Sequence, residues 1–119
     1  MSYDLSLVDS ITKNTLEVDK KHHIKGGTYE VGGSNKLHIN ITYNYSVHLE
    51  KAFNNKEGIR SLYNKSGSES IPLIEEAILK LGDDVTDNYW DSTEGNTKEA
   101  LLNILLLAKM APNGEWSGD

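Results

Sequence analysis

The residues with the most chemical capacity stand together in HHIKGGTYEVGG, residues 22 to 33. Two adjacent histidines, His22 and His23, are of the type that moves protons or ligates metals near neutral pH. Two glycine pairs, Gly26-Gly27 and Gly32-Gly33, are of the type that presents backbone N–H groups to an anion. Thr28 and Tyr29 lie between the pairs. A second set follows in KLHINITYN, where His38, Asn40, Thr42 and Asn44 alternate with apolar residues.

Each set has limits. The phosphate loops that glycine builds read GxxxxGK[ST] or GxGxxG at a strand-to-helix junction, and GGTYEVGG matches neither. Turns or bulges needing positive φ account for its glycines, with close approach of a ligand or of another backbone segment as the alternative. In an extended chain His22 and His23 point to opposite sides, so only one of them serves a given site with His38 or His48. Metal sites take three or four ligands, and no HExxH or comparable spacing is present. No metal and no cofactor is expected. No serine–histidine–acid spacing stands out, and no carboxylate pair can be singled out among 18 acidic residues, so no catalytic residue is assigned.

The elements that must position these residues follow from periodicity. Tyr3, Leu5 and Leu7 alternate with polar residues, as do Leu16 and Val18, and the turn-rich stretch between them predicts a hairpin of 3–8 with 14–18. Thr28 to Val31 reads as a short strand between the glycine pairs, and 32–35 as a tight turn into the next strand. Residues 36–43 give the clearest strand. Leu37, Ile39, Ile41 and Tyr43 share one face, and His38, Asn40, Thr42 and Asn44 the other.

The second half changes period. Short helices are predicted around Val47–Phe53 and Ile59–Tyr63. A longer one starts with Ser70 as its cap and Pro72 in its first turn, carries Leu73, Ile74, Ala77, Ile78 and Leu81, and stops at Gly82. After a polar loop, Asn96-Thr97-Lys98-Glu99 reads as a capping box opening a leucine-rich helix that runs to Met110. Trp116 is expected to dock the tail. Strands first and helices after predict an α+β fold: a small antiparallel sheet from the N-terminal half packed against C-terminal helices, in one domain over 1–119. If helices cover the Leu37/Ile39/Ile41 side, the His38/Asn40/Thr42/Asn44 side is left open.

The totals narrow the function classes. A chain of 119 residues suits one domain, and the absence of cysteine excludes disulfides, thiolate metal sites and a cysteine nucleophile. A net charge of −6 argues against general nucleic-acid binding, which needs a basic surface. No apolar run is long enough to cross a bilayer and no signal-peptide pattern opens the chain, so no membrane association and a cytoplasmic setting are expected.

Several phrases in order, HHIKGGTYEVGG, NITYNYS, GIRSLYNKSGSESIP, YWDSTEGN and APNGEWSGD, resemble a group of small uncharacterised proteins encoded by bacteriophages and prophages. The likeness runs from Leu5 to the end. It implies a bacterial host cell as the setting and an accessory role, including counter-defence, exerted by binding and blocking a host component. It transfers no catalytic residue. The leading expectation is a non-enzymatic protein that binds a host protein or a small polar ligand such as a nucleotide. Its surface would be formed by His22, His23, Gly26, Gly27, Thr28, Tyr29, His38, Asn40, Thr42 and Asn44, with a homo-oligomer covering any open sheet face. The rivals are a small hydrolase or nucleotide-handling enzyme using His22 or His23, and a virion structural component.

Overall fold

The computed structural model describes all residues 1–119. Ser2–Val8 (β1) is central in a three-stranded antiparallel sheet, flanked by His38–Thr42 (β4) and Glu115–Gly118 (β5). Glu17–His22 (β2) and Ser34–Lys36 (β3) form a separate antiparallel pair. Three helices follow: Ser46–Phe53 (α1), Gly67–Leu79 (α2) and Glu94–Met110 (α3). Single 3-10 turns occupy Tyr43–Tyr45 and Gly58–Leu62. The α+β architecture expected from the sequence is the one observed.

The core forms where the alternation predicts it. Leu5, Leu7, Leu37, Ile39 and Ile41 are buried, facing Leu101, Ile104, Leu105 and Leu107 of α3 in one apolar cluster with Ile74 and Trp116. β1 pairs with β4 through the register Tyr3 with Ile41 and Leu5 with Ile39, so the apolar sides of both strands fall on one face.

Four expectations are corrected. The segment 14–18 does return beside β1, with a bridge between Val8 and Thr15, but then leaves to pair with β3. β1 cannot hold it further, because both edges of β1 are taken by β4 and β5. Thr28 to Val31 is not a strand. It has no partner ladder, Val31 is almost wholly exposed, and Gly32 and Gly33 both sit at φ +89° in the reversal after it. α2 starts four residues earlier than predicted: Ser66 caps it by accepting from the Glu69 N–H, while the Glu69 carboxylate accepts from the Ser66 N–H. Pro72 consequently lies in the second turn, on an exposed position. α3 likewise starts early, capped by Thr93, whose hydroxyl accepts from the Asn96 N–H.

β5 was not anticipated as a strand. The tail does dock through Trp116, which is fully buried. Its indole Nε1–H donates to the Ser70 hydroxyl at 2.8 Å, and that hydroxyl donates to the Gly67 carbonyl at 2.7 Å. Ser70 is thus not the cap of α2 but the buried receiver of the tail. Backbone bonds from Trp116 N to Lys65 O and from Asn64 N to Trp116 O then close the outer edge of β5. Covered edges of this kind do not template pairing with other chains.

Trp116 therefore joins the C-terminal strand to both the sheet and α2. Trp116→Phe, which keeps the ring and loses the donor, is expected to cost about 1–2 kcal/mol. Trp116→Ala is expected to cost about 3–5 kcal/mol. Urea unfolding of both variants measures this; a loss under about 1 kcal/mol for the alanine variant would show that the tail is not part of the core.

Candidate functional site

The polar side of β4 is not an open face. Asn40 uses its side chain to hold the glycine loop: its Oδ1 accepts from the Thr28 N–H at 2.9 Å and from the Thr28 hydroxyl at 3.2 Å. Its backbone carbonyl accepts from the Gly27 N–H at 3.0 Å. A Cβ on Gly26 would lie 1.9 Å from that carbonyl oxygen, so only glycine lets the loop come this close. Of the two sequence alternatives for the first glycine pair, close approach of another backbone segment is the one realised.

The other end of β4 holds a second loop, residues 83–93. The Thr42 N–H donates to the Tyr89 hydroxyl at 3.0 Å, and Asn44 Nδ2 donates to the Trp90 carbonyl at 2.9 Å. The Tyr45 hydroxyl donates to the Tyr89 carbonyl. Thr42 is buried, and its own hydroxyl accepts from the Asn44 N–H to cap the 3-10 turn. Thr42 is thereby corrected from a contact residue to a buried structural one, and Asn40 and Asn44 are occupied in holding loops. Of the four, His38 and Asn44 remain exposed at the surface, with His38 Nδ1 2.8 Å from the Ser6 hydroxyl across the β1–β4 pair.

The second loop is itself ordered by one residue. Asn96, in the first turn of α3, is 5% exposed. Its Oδ1 accepts from the Thr86 N–H at 2.9 Å, and its Nδ2 donates to Thr86 Oγ1, Asn88 O and Asp91 O at 3.0–3.1 Å. Asp91 in turn accepts from the Thr86 hydroxyl and from Asn88 Nδ2. This hub sits at the position read as a helix cap. The capping role falls to Thr93, which frees the Asn96 side chain to face back into the loop. The dense Asp/Asn/Thr content of DDVTDNYWDST is the signal that such a local network leaves in a sequence.

Electrostatics reinforce these joints. Glu94 is held below the usual carboxylate range, first by the Lys51 ammonium that donates to it at 2.7 Å and then by the Gly82 N–H. Burial pushes the Tyr89 hydroxyl up, as it does Tyr45, so both stay protonated donors at neutral pH.

The two histidines do point opposite ways, and their roles differ. His22 is buried in β2. Its Nε2 lies 2.6 Å from the Lys36 carbonyl, and its Nδ1 accepts from the Ile24 N–H at 3.3 Å. Only a ring with its proton on Nε2 satisfies both contacts, so His22 ties β2 to β3 and has no free nitrogen for acid–base work. His23 is exposed, with Nδ1 3.0 Å from the Tyr29 hydroxyl. The Lys25 ammonium lies 4.5 Å above the Tyr29 ring, a cation–π contact. No three histidine, aspartate or glutamate side chains converge to hold a metal ion.

A hollow opens on each side of the Gly26–Gly27 segment. One, of about 180 Å³, is walled by Thr28, Tyr29, Glu30, Lys36 and His38, with His22 at its side. The other, of about 430 Å³, lies between His23 and Lys25 on one wall and Asp87, Tyr89, Glu99 and Asn103 on the other. Tyr29 is 41% and Trp90 50% exposed, and the Trp90 ring lies beside Gly27. The structure thus brings together His23, Gly26, Gly27, Thr28, Tyr29 and His38 from the sequence-nominated set. It adds Trp90, Lys25, Lys36 and Glu30, and withdraws His22 and Thr42 from the surface. The chain matches no protein-family model, no curated protein and no solved structure.

If Asn96 sets the shape of the Trp90 loop, Asn96→Ala removes four hydrogen bonds at once and leaves the Thr86 N–H without its acceptor, while the Asn88 and Asp91 carbonyls keep the Asp91 and Thr93 N–H groups. The expected cost is about 2–3 kcal/mol, with amide exchange accelerated across 84–92 and at Thr42, whose N–H donates to the Tyr89 hydroxyl, while β1 and Ile41 stay protected. Exchange mass spectrometry of the variant against wild type measures this; unchanged protection in 84–92 would remove Asn96 as the organiser.

Proposed function

We propose that this chain is a non-enzymatic binding protein. Its contact surface is the ridge formed by the glycine loop and the Trp90 loop, with its hollow on either side. The observation that carries this reading is the pair Tyr29 and Trp90. Each is an aromatic side chain left about half exposed on a loop that the polar side of β4 pins in place. Aromatic residues with a polar edge are the usual anchors of protein interfaces, and an anchor on a fixed loop loses little conformational freedom on binding. A protein partner fits this arrangement better than an enclosed nucleotide. The hollow beside Tyr29, at about 180 Å³, falls below the roughly 300–1,000 Å³ of small-molecule sites; the one beside Lys25, at about 430 Å³, reaches that size but is walled mainly by polar side chains, where such sites are lined mostly by apolar ones.

The resemblance to small phage and prophage proteins supplies the setting within this proposal: a bacterial host cell, with a host protein as the partner to be bound and blocked. The enzyme alternative loses half of its basis, because both ring nitrogens of His22 are engaged by backbone groups.

The test is affinity capture from host lysate with wild type and with the double variant Tyr29→Ala/Trp90→Ala. Both positions are exposed, so stability is expected to change by less than about 1 kcal/mol. Loss of a wild-type partner by at least about tenfold is the expected result, consistent with removal of interface anchors. Identical captured proteins from both forms would contradict the assignment of this surface.

A further inference from the structure

α3 turns one face away from the rest of the chain. Leu102, Leu106 and Met110 recur every four residues and are 43%, 50% and 44% exposed, while Leu101, Ile104, Leu105, Leu107 and Ala108 are buried. That spacing stacks the three into a single stripe along the helix. At 100° per residue, Glu99, Leu102, Leu106, Lys109 and Met110 fall within one arc of about 100°. Glu99 stands at the N-terminal end of this stripe and Lys109 near its C-terminal end, both exposed. Neither has an ion-pair partner; the four pairs in the chain are Lys13–Glu115, Lys51–Glu94, Lys80–Glu76 and Lys98–Asp83. Past Met110 the stripe runs into a hollow of about 390 Å³ whose apolar walls include Leu16, Val18, Leu37 and Pro112.

We propose that this face of α3 pairs antiparallel with the same face of a second copy of the chain. The order of charges selects that occupant. A stripe with an acid at one end and a base at the other complements itself only when the two helices run in opposite directions. A two-fold axis near Leu106 sets Leu106 against Leu106 of the second copy and Leu102 against Met110. The same axis brings Glu99 of each copy within side-chain reach of Lys109 on the other. Leu102 of the second copy then stands at the mouth of the hollow beyond Met110. Parallel pairing would instead oppose Glu99 to Glu99 and Lys109 to Lys109. An isologous contact of this kind uses every interaction twice. One helix face is smaller than a standard interface, so the pairing is reversible and depends on concentration. Glu99 also walls the hollow beside Lys25, but Leu106 and Lys109 lie outside the proposed binding ridge, so Leu106→Glu tests the dimer without touching that ridge.

Sedimentation velocity over roughly two decades of protein concentration tests it. Wild type is expected to pass from monomer to dimer, and Leu106→Glu to remain monomeric. Glu99→Lys and Lys109→Glu are each expected to weaken association by about tenfold, and the double swap Glu99→Lys/Lys109→Glu to restore it to within about threefold of wild type. All three positions face solvent, and circular dichroism verifies that each variant is folded. A wild type that stays monomeric, a dimer indifferent to Leu106→Glu, or a double swap no stronger than the single ones would overturn the proposal.

Discussion

The hydrogen-bond demand of one five-residue strand decides where this protein presents its surface. β4 buries Ile39 and Ile41 on one side and carries Asn40 and Thr42 on the other. Bonding groups on that second side, left unpaired under cover, would each cost about 1–3 kcal/mol. The chain supplies their partners from two loops. The glycine loop bonds to Asn40, and the Trp90 loop bonds to Thr42 N and to Asn44. Covering the strand and ordering the loops are one event, and what faces outward is the far side of those loops.

This arrangement explains residue choices that otherwise look unrelated. Gly26 has no room for a Cβ because the Asn40 carbonyl lies against it. Tyr89 needs its hydroxyl because the Thr42 N–H has no other acceptor, and its ring stacks edge-on against Tyr45 at 5.6 Å. Asn96 must be an amide because the loop that delivers Tyr89 and Trp90 offers it both donors and acceptors. Each of these is a local consequence of fastening polar loops over a half-buried strand. Together they convert flexible connections into a fixed ridge that carries Tyr29, Trp90 and Lys25.

Much of the fold was legible because it rests on periodicity. The apolar positions Leu37, Ile39 and Ile41 of KLHINITY and the stripe through Ile74, Ala77 and Leu81 are buried as these patterns indicate, while Thr42 on the other side of the strand is buried as well and Leu73 is 37% exposed. Boundaries were less legible. SGSE at 66–69 is a capping box of the standard form, yet Ser70-Ile71-Pro72 draws attention because proline favours helix starts. The C-terminal strand is four residues long and shows only Trp116 inward, too little for a period to declare itself. The site was half legible. Composition singled out the segment that folds into the glycine loop, but residue type alone does not tell an asparagine that waits for a ligand from one that fastens a neighbouring loop. Asn40 and Asn96 are both of the second kind. The separation of Thr28 from Asn40 by 12 residues and of Tyr89 from Thr42 by 47 puts the deciding bonds beyond any local pattern.

The most direct test of this account is residue-resolved amide hydrogen exchange by NMR on the wild-type chain. The Thr28 and Thr42 amides donate to side chains, Asn40 Oδ1 and the Tyr89 hydroxyl, rather than to any sheet neighbour. If the two loops are fastened to β4, both amides exchange at least on the order of 10²-fold more slowly than an open chain. Exchange of Thr28 and Thr42 at open-chain rates, with Leu5 and Ile41 still protected, would mean that the loops lie free over the strand and that the ridge is not a preformed surface.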